Sequence, residues 1–363
     1  MPDFVTFGEI MMRMAPPGFL RLGQTLPGKI DVTFAGAEAN VAASLSMLGA
    51  DAAYVTALPD NPLTDACLNT LRGLGINTSH VVRRSEGRLG IYYVECGANQ
   101  RPSRVTYDRD GSSISLAAAS EYNWSDAFNG AKSLHVSGIT PALSESAAEA
   151  TLAAVQAAQS AGLQVSCDLN YRAKLWNWKP GTDRKTLAGE TMDRILPYVD
   201  VLIANEADCG DVLGIHAGDS NVESGSVEVE AYPDVARQVV SRYPNVKLIA
   251  TTLRESVSAS HNNWGAMLFD VAEDSASFAP LSNGQYQPYE IRNIVDRVGG
   301  GDAFAAGLLF ALSHDDYPDN QTALQFACAS SCLAHSILGD FNFSNKAEVD
   351  ALMGGSGSGR VVR

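Results

Sequence analysis

The sequence predicts an α/β fold with a doubly wound, mostly parallel sheet flanked by helices, and a small β-sheet lid beside it. From about residue 132 onward, short apolar segments alternate with helical patterns, which is typical of a parallel sheet covered on both faces. Residues 81–115 are instead β-prone and polar, which predicts a second, exposed sheet. The chain of 363 residues is 45% hydrophobic, enough for one large core.

The N-terminal elements are delimited by glycines. The apolar run at residues 4–10 predicts a buried strand, whereas the stretch 11–35, punctuated by proline and glycine, predicts short strands of the second sheet. Glycines on both sides bound a helix at residues 41–48. A strand at 52–58 and a helix at 63–74, which a glycine ends, follow in the same way.

The later elements alternate more regularly. Each apolar run is followed by a segment with helical spacing, so the carboxyl ends of the strands are expected to meet at one edge of the sheet, where ligands of such folds gather. We expect strands at 134–137, 164–168, 201–204 and 247–252, a helix at 145–161, and the end of another at 193–196.

Composition and charge exclude several classes of function. A formal net charge of −15 disfavours binding to nucleic acid and to anionic membranes. No apolar run approaches the length of a membrane span, and no targeting segment follows Met1, so a cytoplasmic protein is expected. The six cysteines form no Cys-x-x-Cys pair, which favours buried thiols in a reducing compartment.

The most informative motif is Gly299-Gly300-Gly301-Asp302, which leads directly into an apolar helix. Glycines let a ligand approach the backbone closely, and the first turn of a helix offers unpaired N–H groups to an anion. A carboxylate held beside a phosphate can take a proton from a hydroxyl. The alternative is that Asp302 is an ordinary helix N-cap.

Three motifs in a fixed order resemble the ribokinase-like (pfkB-type) carbohydrate kinases. They are Gly36-Ala37-Glu38-Ala39-Asn40, Asn205-Glu206-Ala207-Asp208 and Gly299-Gly300-Gly301-Asp302. The resemblance covers roughly residues 3–352. The segments 137–143, 168–176 and 296–299 are similar to the branch of this family that acts on 2-keto-3-deoxygluconate. The resemblance implies a kinase domain at 1–352 with lid strands from about 12–35 and 81–115, followed by a flexible tail at 353–363.

The resemblance also implies a chemistry. It assigns ATP and Mg²⁺ as cofactors, Asp302 as the catalytic base, and the backbone of Gly299, Gly300 and Gly301 as the anion hole for the transferred phosphoryl group. This agrees with the demands of phosphoryl transfer, which needs positioning and charge neutralisation more than covalent chemistry.

The resemblance implies a sugar site in two parts. Gly36, Ala37 and Asn40 are expected to hold sugar hydroxyls, although Asn40 could be only a polar residue at a helix start. A carboxylate of the sugar is expected to bind arginine, because a guanidinium recognises carboxylates in a two-pronged way. The residues implied for this are Tyr92, Tyr107, Arg109 and Arg172.

Each arginine also has a plain structural interpretation. Arg109 could be a solvated turn residue between acids, and Arg172 could form a salt bridge to Asp168. Which of the two binds a carboxylate stays open at this point.

The metal and nucleotide positions carry departures from the family pattern. Asn205 and Asp208 are implied to organise Mg²⁺, with Asp208 standing where glutamate is usual. Thr252 and Arg254 are expected to reach the phosphates, together with Asn205, Gly299 and Gly301. The segment 251–264 lacks the family's glycines and is expected to form a longer loop, with surface roles for His261 and Trp264.

The expected function is an ATP-dependent kinase acting on the terminal hydroxyl of 2-keto-3-deoxygluconate. The alternatives are a kinase of a neutral sugar such as fructose or ribose, or of a nucleoside, and a non-catalytic sugar sensor on the same fold. The expected partners are a small sugar or sugar acid, with no nucleic acid and no membrane. A homodimer through the exposed edge of the lid sheet is possible.

Overall fold

The computed structural model describes residues 2–205, 207–216 and 229–355. Glu206, residues 217–228 and most of the tail expected at 353–363 lie outside the described residues. The strands are β1 Phe4–Phe7, β2 Met11–Ala15, β3 Asp31–Ala35, β4 Ala52–Val55, β5 Ala57–Pro59, β6 Val82–Arg84, β7 Gly90–Glu95, β8 Arg104–Asp108, β9 Ser133–Ser137, β10 Gln164–Asp168, β11 Val201–Asn205, β12 Leu248–Ser258, β13 His261–Asp270, β14 Ser275–Ala279, β15 Leu281–Ser282, β16 Gln285–Tyr286 and β17 Tyr289–Arg292. The helices are α1 Leu22–Thr25, α2 Ala37–Leu48, α3 Pro62–Gly73, α4 Ser113–Leu116, α5 Trp124–Ala127, α6 Glu145–Ser160, α7 Arg184–Ile195, α8 Asp208–Leu213, α9 Tyr232–Arg242, α10 Gly300–Leu312, α11 Asn320–Ala334 and α12 Lys346–Met353.

A nine-stranded sheet forms the centre of the molecule. Its order is β14-β13-β12-β11-β10-β9-β1-β4, and β17 pairs with β13. Every neighbouring pair from β4 to β12 is parallel, whereas β12 and β13 are antiparallel. The mostly parallel α/β sheet expected from the sequence is therefore confirmed.

Helices cover both faces of this sheet, and β11 contributes apolar side chains to both. In β11, Leu202 and Ala204 belong to the core that contains residues of α6, α7 and α9. Val201 and Ile203 point to the opposite core, formed with α2, α3, α10, α11 and α12. The alternation of side chains along a strand thus builds two cores on one sheet.

The second, smaller sheet has the order β3-β2-β7-β8. Its outer pairs, β2 with β3 and β7 with β8, are antiparallel, and the central pair of β2 and β7 is parallel. The β-prone segments 11–35 and 81–115 supply all four strands, as the sequence predicts. We refer to these four strands as the small sheet.

The prediction of a loop at 251–264 is wrong. The strands β12 and β13 form a long antiparallel hairpin in which Arg254 pairs with Trp264 and Ser256 with Asn262. Trp264 is buried in the core, and its ring lies 5.2 Å from that of His335, so the surface role expected for it is wrong as well. Within the described ranges, no helix is long and apolar enough to cross a membrane.

Candidate active site

A cavity of about 400 Å³ opens at the carboxyl ends of the central strands, beneath the small sheet. It lies where ligands collect in open α/β sheets. All the residues that the sequence singles out as site residues line it, although they come from distant parts of the chain. They are Gly36, Ala37, Asn40, Tyr92, Tyr107, Arg109, Arg172, Asn205, Asp208, Thr252, Arg254, Gly299, Gly300, Gly301 and Asp302.

At the glycine turn that begins α10, Gly299 and Gly300 leave no room for a side chain. Gly299 is the N-cap and has a φ of 86°, in the left-handed region that favours glycine. A Cβ at Gly299 would lie 2.2 Å from the carbonyl oxygen of Asp340, and one at Gly300 would lie 2.7 Å from the His335 ring. A Cβ at Gly301 would meet nothing within 4 Å. The first-turn N–H groups, which have no partner within the helix, therefore begin at the wall of the cavity.

Asp302 is the third residue of α10 and not its N-cap, so the capping alternative is wrong. Its Oδ2 accepts a hydrogen bond of 2.6 Å from Nδ2 of Asn40. Burial raises the pKa of Asp302 to about 6, and the hydrogen bond from Asn40 opposes this shift. The charge of Asp340 also raises this pKa, and that of Arg172 lowers it. Asp302 therefore combines a basic carboxylate with a fixed orientation.

Asn40 is held in place by the start of α2. Gly36 precedes the helix, and its N–H donates to Oδ1 of Asn40 over 3.2 Å. A Cβ at Gly36 would lie 2.0 Å from the carbonyl oxygen of Glu9, so a larger residue is excluded. Ala37 follows and lines the cavity. One amide thus connects the early motif to Asp302 of the late motif.

The two candidate carboxylate-binding arginines have different surroundings. Arg109 is buried, donates through Nη2 to the carboxylate of Glu9, and lies over the Tyr107 ring at 5.2 Å. It is therefore not the solvated turn residue of the alternative interpretation. Arg172 is exposed and donates through Nη1 to the carbonyl oxygen of Tyr171 over 3.3 Å.

No acid of the described residues forms an ion pair with Arg172, so the alternative interpretation of Arg172, a salt bridge to Asp168, is wrong. Of the two guanidinium groups, that of Arg172 is the one whose charge is not already matched by a carboxylate within ion-pair distance in the described chain.

Tyr92 and Tyr107 come from neighbouring strands of the small sheet. Their rings lie 6.3 Å apart and both line the cavity. The Tyr92 hydroxyl lies 2.8 Å from each carboxylate oxygen of Asp340, to which it can donate. The hydroxyl hydrogen of Tyr92 is therefore already used within the protein.

An acidic edge lies at the ends of β10 and β11. Oδ1 of Asn205 accepts from the N–H of Ala207 and of Asp208, and Oδ2 of Asp208 accepts from the N–H of Asn205. Burial raises the pKa of Asp168, and the charges of Asp208 and Asp302 raise it further. A cation would relieve this repulsion.

The donor set at this edge fits Mg²⁺ in one particular way. In the described chain, no group of three or more His, Cys, Asp or Glu side chains is placed to hold a metal by itself. Mg²⁺ is commonly bound by one or two carboxylates together with phosphate oxygens and water. The Asn205 and Asp208 pair suits a cation that arrives with a phosphate-bearing ligand.

The opposite wall is basic. Thr252 and Arg254 lie on β12, and Arg297, which the sequence analysis missed, lies beside them. Nη2 of Arg297 donates to Oδ1 of Asn262 over 2.9 Å and to the carbonyl oxygen of Ser258 over 3.2 Å. Burial and the neighbouring charge of Arg254 lower the pKa of Arg297. Two guanidinium groups that repel each other in this way favour an anionic ligand.

Comparison with known proteins gives one consistent family. A family model described as pfkB family carbohydrate kinase matches residues 1–345. A 2-dehydro-3-deoxygalactonokinase of Haloferax volcanii is 31% identical over 357 residues, which cover 98% of this chain and 98% of that protein. A fructokinase of Klebsiella pneumoniae is 27% identical over 339 residues, with 90% of each chain covered.

Comparison with solved structures points to the same family. The crystal structure of a 2-dehydro-3-deoxygluconokinase from Thermotoga maritima has a TM-score of 0.86 and 43% sequence identity, and covers 98% of this chain and 100% of that one. A putative 2-keto-3-deoxygluconate kinase from Enterococcus faecalis has a TM-score of 0.84 and 27% identity, over 100% of this chain and 99% of that one.

Proposed function

Because this chain belongs to the pfkB family of carbohydrate kinases, we propose that it transfers the terminal phosphoryl group of ATP to the terminal hydroxyl of 2-keto-3-deoxygluconate. The same compound is called 2-dehydro-3-deoxygluconate in the names of relatives, and a second relative is named for the galactonate epimer. The observation that carries the choice of a sugar acid is Arg172, whose guanidinium lines the cavity without an acidic partner among the described residues.

The reaction is a single displacement. The sugar hydroxyl oxygen forms a bond to the terminal phosphorus of ATP, the bond from that phosphorus to the bridging oxygen breaks, and ADP leaves. Asp302 takes the hydroxyl proton. With a pKa of about 6, roughly nine-tenths of Asp302 is ionised at pH 7, so it is a competent base.

The other residues position the reacting groups and neutralise the charge of the phosphates. The N–H groups at Gly300 and Gly301 hold the transferred phosphoryl group, and Arg254 and Arg297 neutralise the remaining phosphates. Mg²⁺, held through Asn205 and Asp208, supplies charge neutralisation on the phosphate oxygens. Asn40 keeps Asp302 oriented while the small sheet, which carries Tyr92, Tyr107 and Arg109 into the cavity, excludes water as a lid.

The experiment is an ADP-release assay with 2-keto-3-deoxygluconate, 2-keto-3-deoxygalactonate, fructose and ribose. We expect the sugar acids to be preferred, and Arg172→Gln to lower kcat/KM for the acid by about 10- to 100-fold, as the loss of a charge-assisted hydrogen bond implies. The same variant should leave any activity toward fructose nearly unchanged. Lys174→Gln, which removes a charge from the same loop outside the cavity lining, is the matched control.

Other outcomes of this assay identify the rivals. A preference for fructose would favour a neutral-sugar kinase, an alternative that the similarity to a fructokinase also supports. Sugar binding without ADP release would favour a non-catalytic sensor. Equal losses for acid and ketose in Arg172→Gln would show that Arg172 has only a structural role.

We also propose a homodimer through the small sheet. Its edge strand β3 exposes Val32, which is 48% accessible, and the adjoining segment exposes Phe19 and Leu26 at 53% and 49%. An unpaired strand edge with apolar side chains invites a partner strand. Sedimentation velocity should show a dimer that Val32→Glu dissociates, and a monomeric wild-type protein would refute this proposal.

A further inference from the structure

We propose that Arg13 is a positioning residue for phosphoryl transfer: it joins the small sheet to the glycine turn that begins α10. This inference rests on the proposed function only for its kinetic readout. Arg13 lies on β2, outside the cavity lining, and its side chain is 3% exposed. The two acids with which it pairs are far away in the sequence.

The guanidinium of Arg13 is shared between two carboxylates. Nη2 donates to Oδ2 of Asp296 and Nη1 donates to Oδ1 of Asp340, and both acids are buried. The sequence separations are 283 and 327 residues. Arg13 is also the register partner of Tyr92 on β7, whose hydroxyl contacts Asp340. Two adjacent strands of the small sheet therefore contact the same acid.

Both acids shape the glycine turn. Oδ1 of Asp296 accepts from the N–H of Arg297 over 2.8 Å and from the N–H of Val298 over 3.2 Å, directly before Gly299. The carbonyl oxygen of Asp340 sits where a Cβ of Gly299 would be. The side chain of Asp296 thus fixes the start of the turn, and the backbone of Asp340 excludes a side chain at Gly299. The orientation of the N–H groups that follow depends on both.

The arrangement is more than a stabilising ion pair. One cation faces two buried acids, so its removal leaves both carboxylates uncompensated, a situation that buried ion pairs do not tolerate. An error of about 1 Å in the position of a catalytic group is enough to cost about 100-fold in rate. The consequence of losing Arg13 is therefore expected in kcat, because its partners contact the turn and Arg13 itself does not line the sugar site.

The test uses the full chain and three variants. Arg13→Met removes the cation, Arg13→Lys keeps the charge but loses the fork, and the double variant Arg13→Met/Asp340→Asn restores the original net charge of the cluster without the connection to β2. Arg88→Met is the control, because Arg88 lies two residues before β7 and its exposed ion pair is with Asp108 at the end of β8.

We expect the double variant to fold but to melt below wild type, because buried Asp296 then lacks its cation. It should lose about 100-fold in kcat and keep KM for the sugar within about 3-fold. Arg13→Lys should recover part of that kcat. Wild-type kcat in a folded double variant overturns the proposal. If the double variant does not fold, Arg13→Lys decides: reduced kcat at an unchanged melting temperature supports the inference, and unchanged kcat overturns it.

A second readout does not depend on the substrate. Hydrogen exchange of the backbone amides at 296–301 should be at least about 10-fold faster in the double variant than in wild type, while exchange in α6 should not change. Identical exchange in the turn would overturn the inference even if no sugar were phosphorylated. Failure of wild type to phosphorylate any sugar acid would instead overturn the proposed function alone.

Discussion

At the scale of single residues, the most consequential environment is that of Asp302. Its carboxylate is partly desolvated, which makes it more basic, and it is aimed by a single amide hydrogen bond from Asn40. These two effects act in opposite directions on its pKa. A base for a sugar hydroxyl needs both, because an unshifted aspartate would be a weaker proton acceptor and a mobile one would often point away.

The pKa of Asp302 predicts where activity is lost on acidification. Asp302 must be ionised to accept a proton, so kcat/KM should fall tenfold per pH unit below about pH 6, rather than below pH 4 as for an ordinary aspartate. The hydrogen bond from Asn40 lowers this pKa, so Asn40→Ala should move the acidic limb to higher pH. A pH profile of kcat/KM for the wild-type protein and for Asn40→Ala measures the pH below which each of them loses activity.

Asp302→Asn is the control for this assignment. It should reduce kcat by about 10²- to 10⁴-fold, the usual contribution of a general base, with little change in KM. An Asp302→Asn variant within tenfold of wild type, or an acidic limb near pH 4 in the wild-type enzyme, would contradict the role of Asp302 as base.

At the scale of elements, Gly299 and Gly301 at the start of α10 have separable roles. Gly299→Ala should destabilise the protein, because its Cβ would collide with the Asp340 carbonyl and its φ of 86° is unfavourable for alanine. Gly301→Ala should fold normally, since its Cβ meets nothing within 4 Å, but its methyl group would enter the space for the phosphoryl group and lower kcat.

Thermal melting and steady-state kinetics on the two variants measure this contrast. The pair is its own control, since both add one methyl group to the same turn. A loss of melting temperature in Gly301→Ala equal to that in Gly299→Ala would show that the turn is uniformly packed and has no open side for a ligand.

The sequence predicted the strands that have a recognisable pattern of apolar side chains. It missed the hairpin of β12 and β13, whose tip is held together by backbone hydrogen bonds. The strand around Leu202 is apolar on both faces and is easily recognised. The tip of the hairpin of β12 and β13 is polar, with exposed side chains from Arg254 to Val257, because its backbone bonds are satisfied by the partner strand. Such a segment carries no hydrophobic periodicity, so sequence reasoning predicted a loop.

The site was predicted for a different reason. The glycines, Asn40 and Asp302 follow local motifs that the chemistry requires, so they can be read from short runs. Arg13 and its acidic partners have no local signature, because what relates them is contact across the fold. Glu9, which neutralises Arg109, was missed for the same reason.

At the scale of the whole molecule, the arginines of the cavity contrast with the negative net charge of the chain. The chain carries a net charge of −15, yet four arginines line one cavity, namely Arg109, Arg172, Arg254 and Arg297. The same cavity is lined by five acids, namely Glu9, Asp168, Asp208, Asp302 and Asp340, so the positive charge is confined to part of its wall. The wall that carries Arg254 and Arg297 therefore suits a small anion, although the protein as a whole is acidic.

The stability of the whole fold should depend on pH through Glu38, a residue that the proposed reaction does not use. Glu38 is fully buried on α2, where Oε1 accepts from the hydroxyls of Ser137 and Thr140, and Oε2 has no hydrogen-bond partner in the described chain. Burial raises its pKa from an ordinary 4.5 to about 7. Between these values the folded protein keeps a proton that the unfolded chain has released.

The free energy of unfolding should therefore be highest on the acidic side of this window and should fall as the pH rises toward 7, by about 3 kcal/mol in total. Glu38→Gln keeps an acceptor for Ser137 and Thr140 but cannot ionise. Urea unfolding at pH 5 and pH 8 should show a smaller decrease for this variant than for wild type, and at least equal stability at pH 8. Glu86→Gln, at an exposed carboxylate, should follow wild type. Parallel pH dependence in Glu38→Gln and wild type would mean that Glu38 is ionised in the folded protein, and that its second oxygen has a partner that neutralises it.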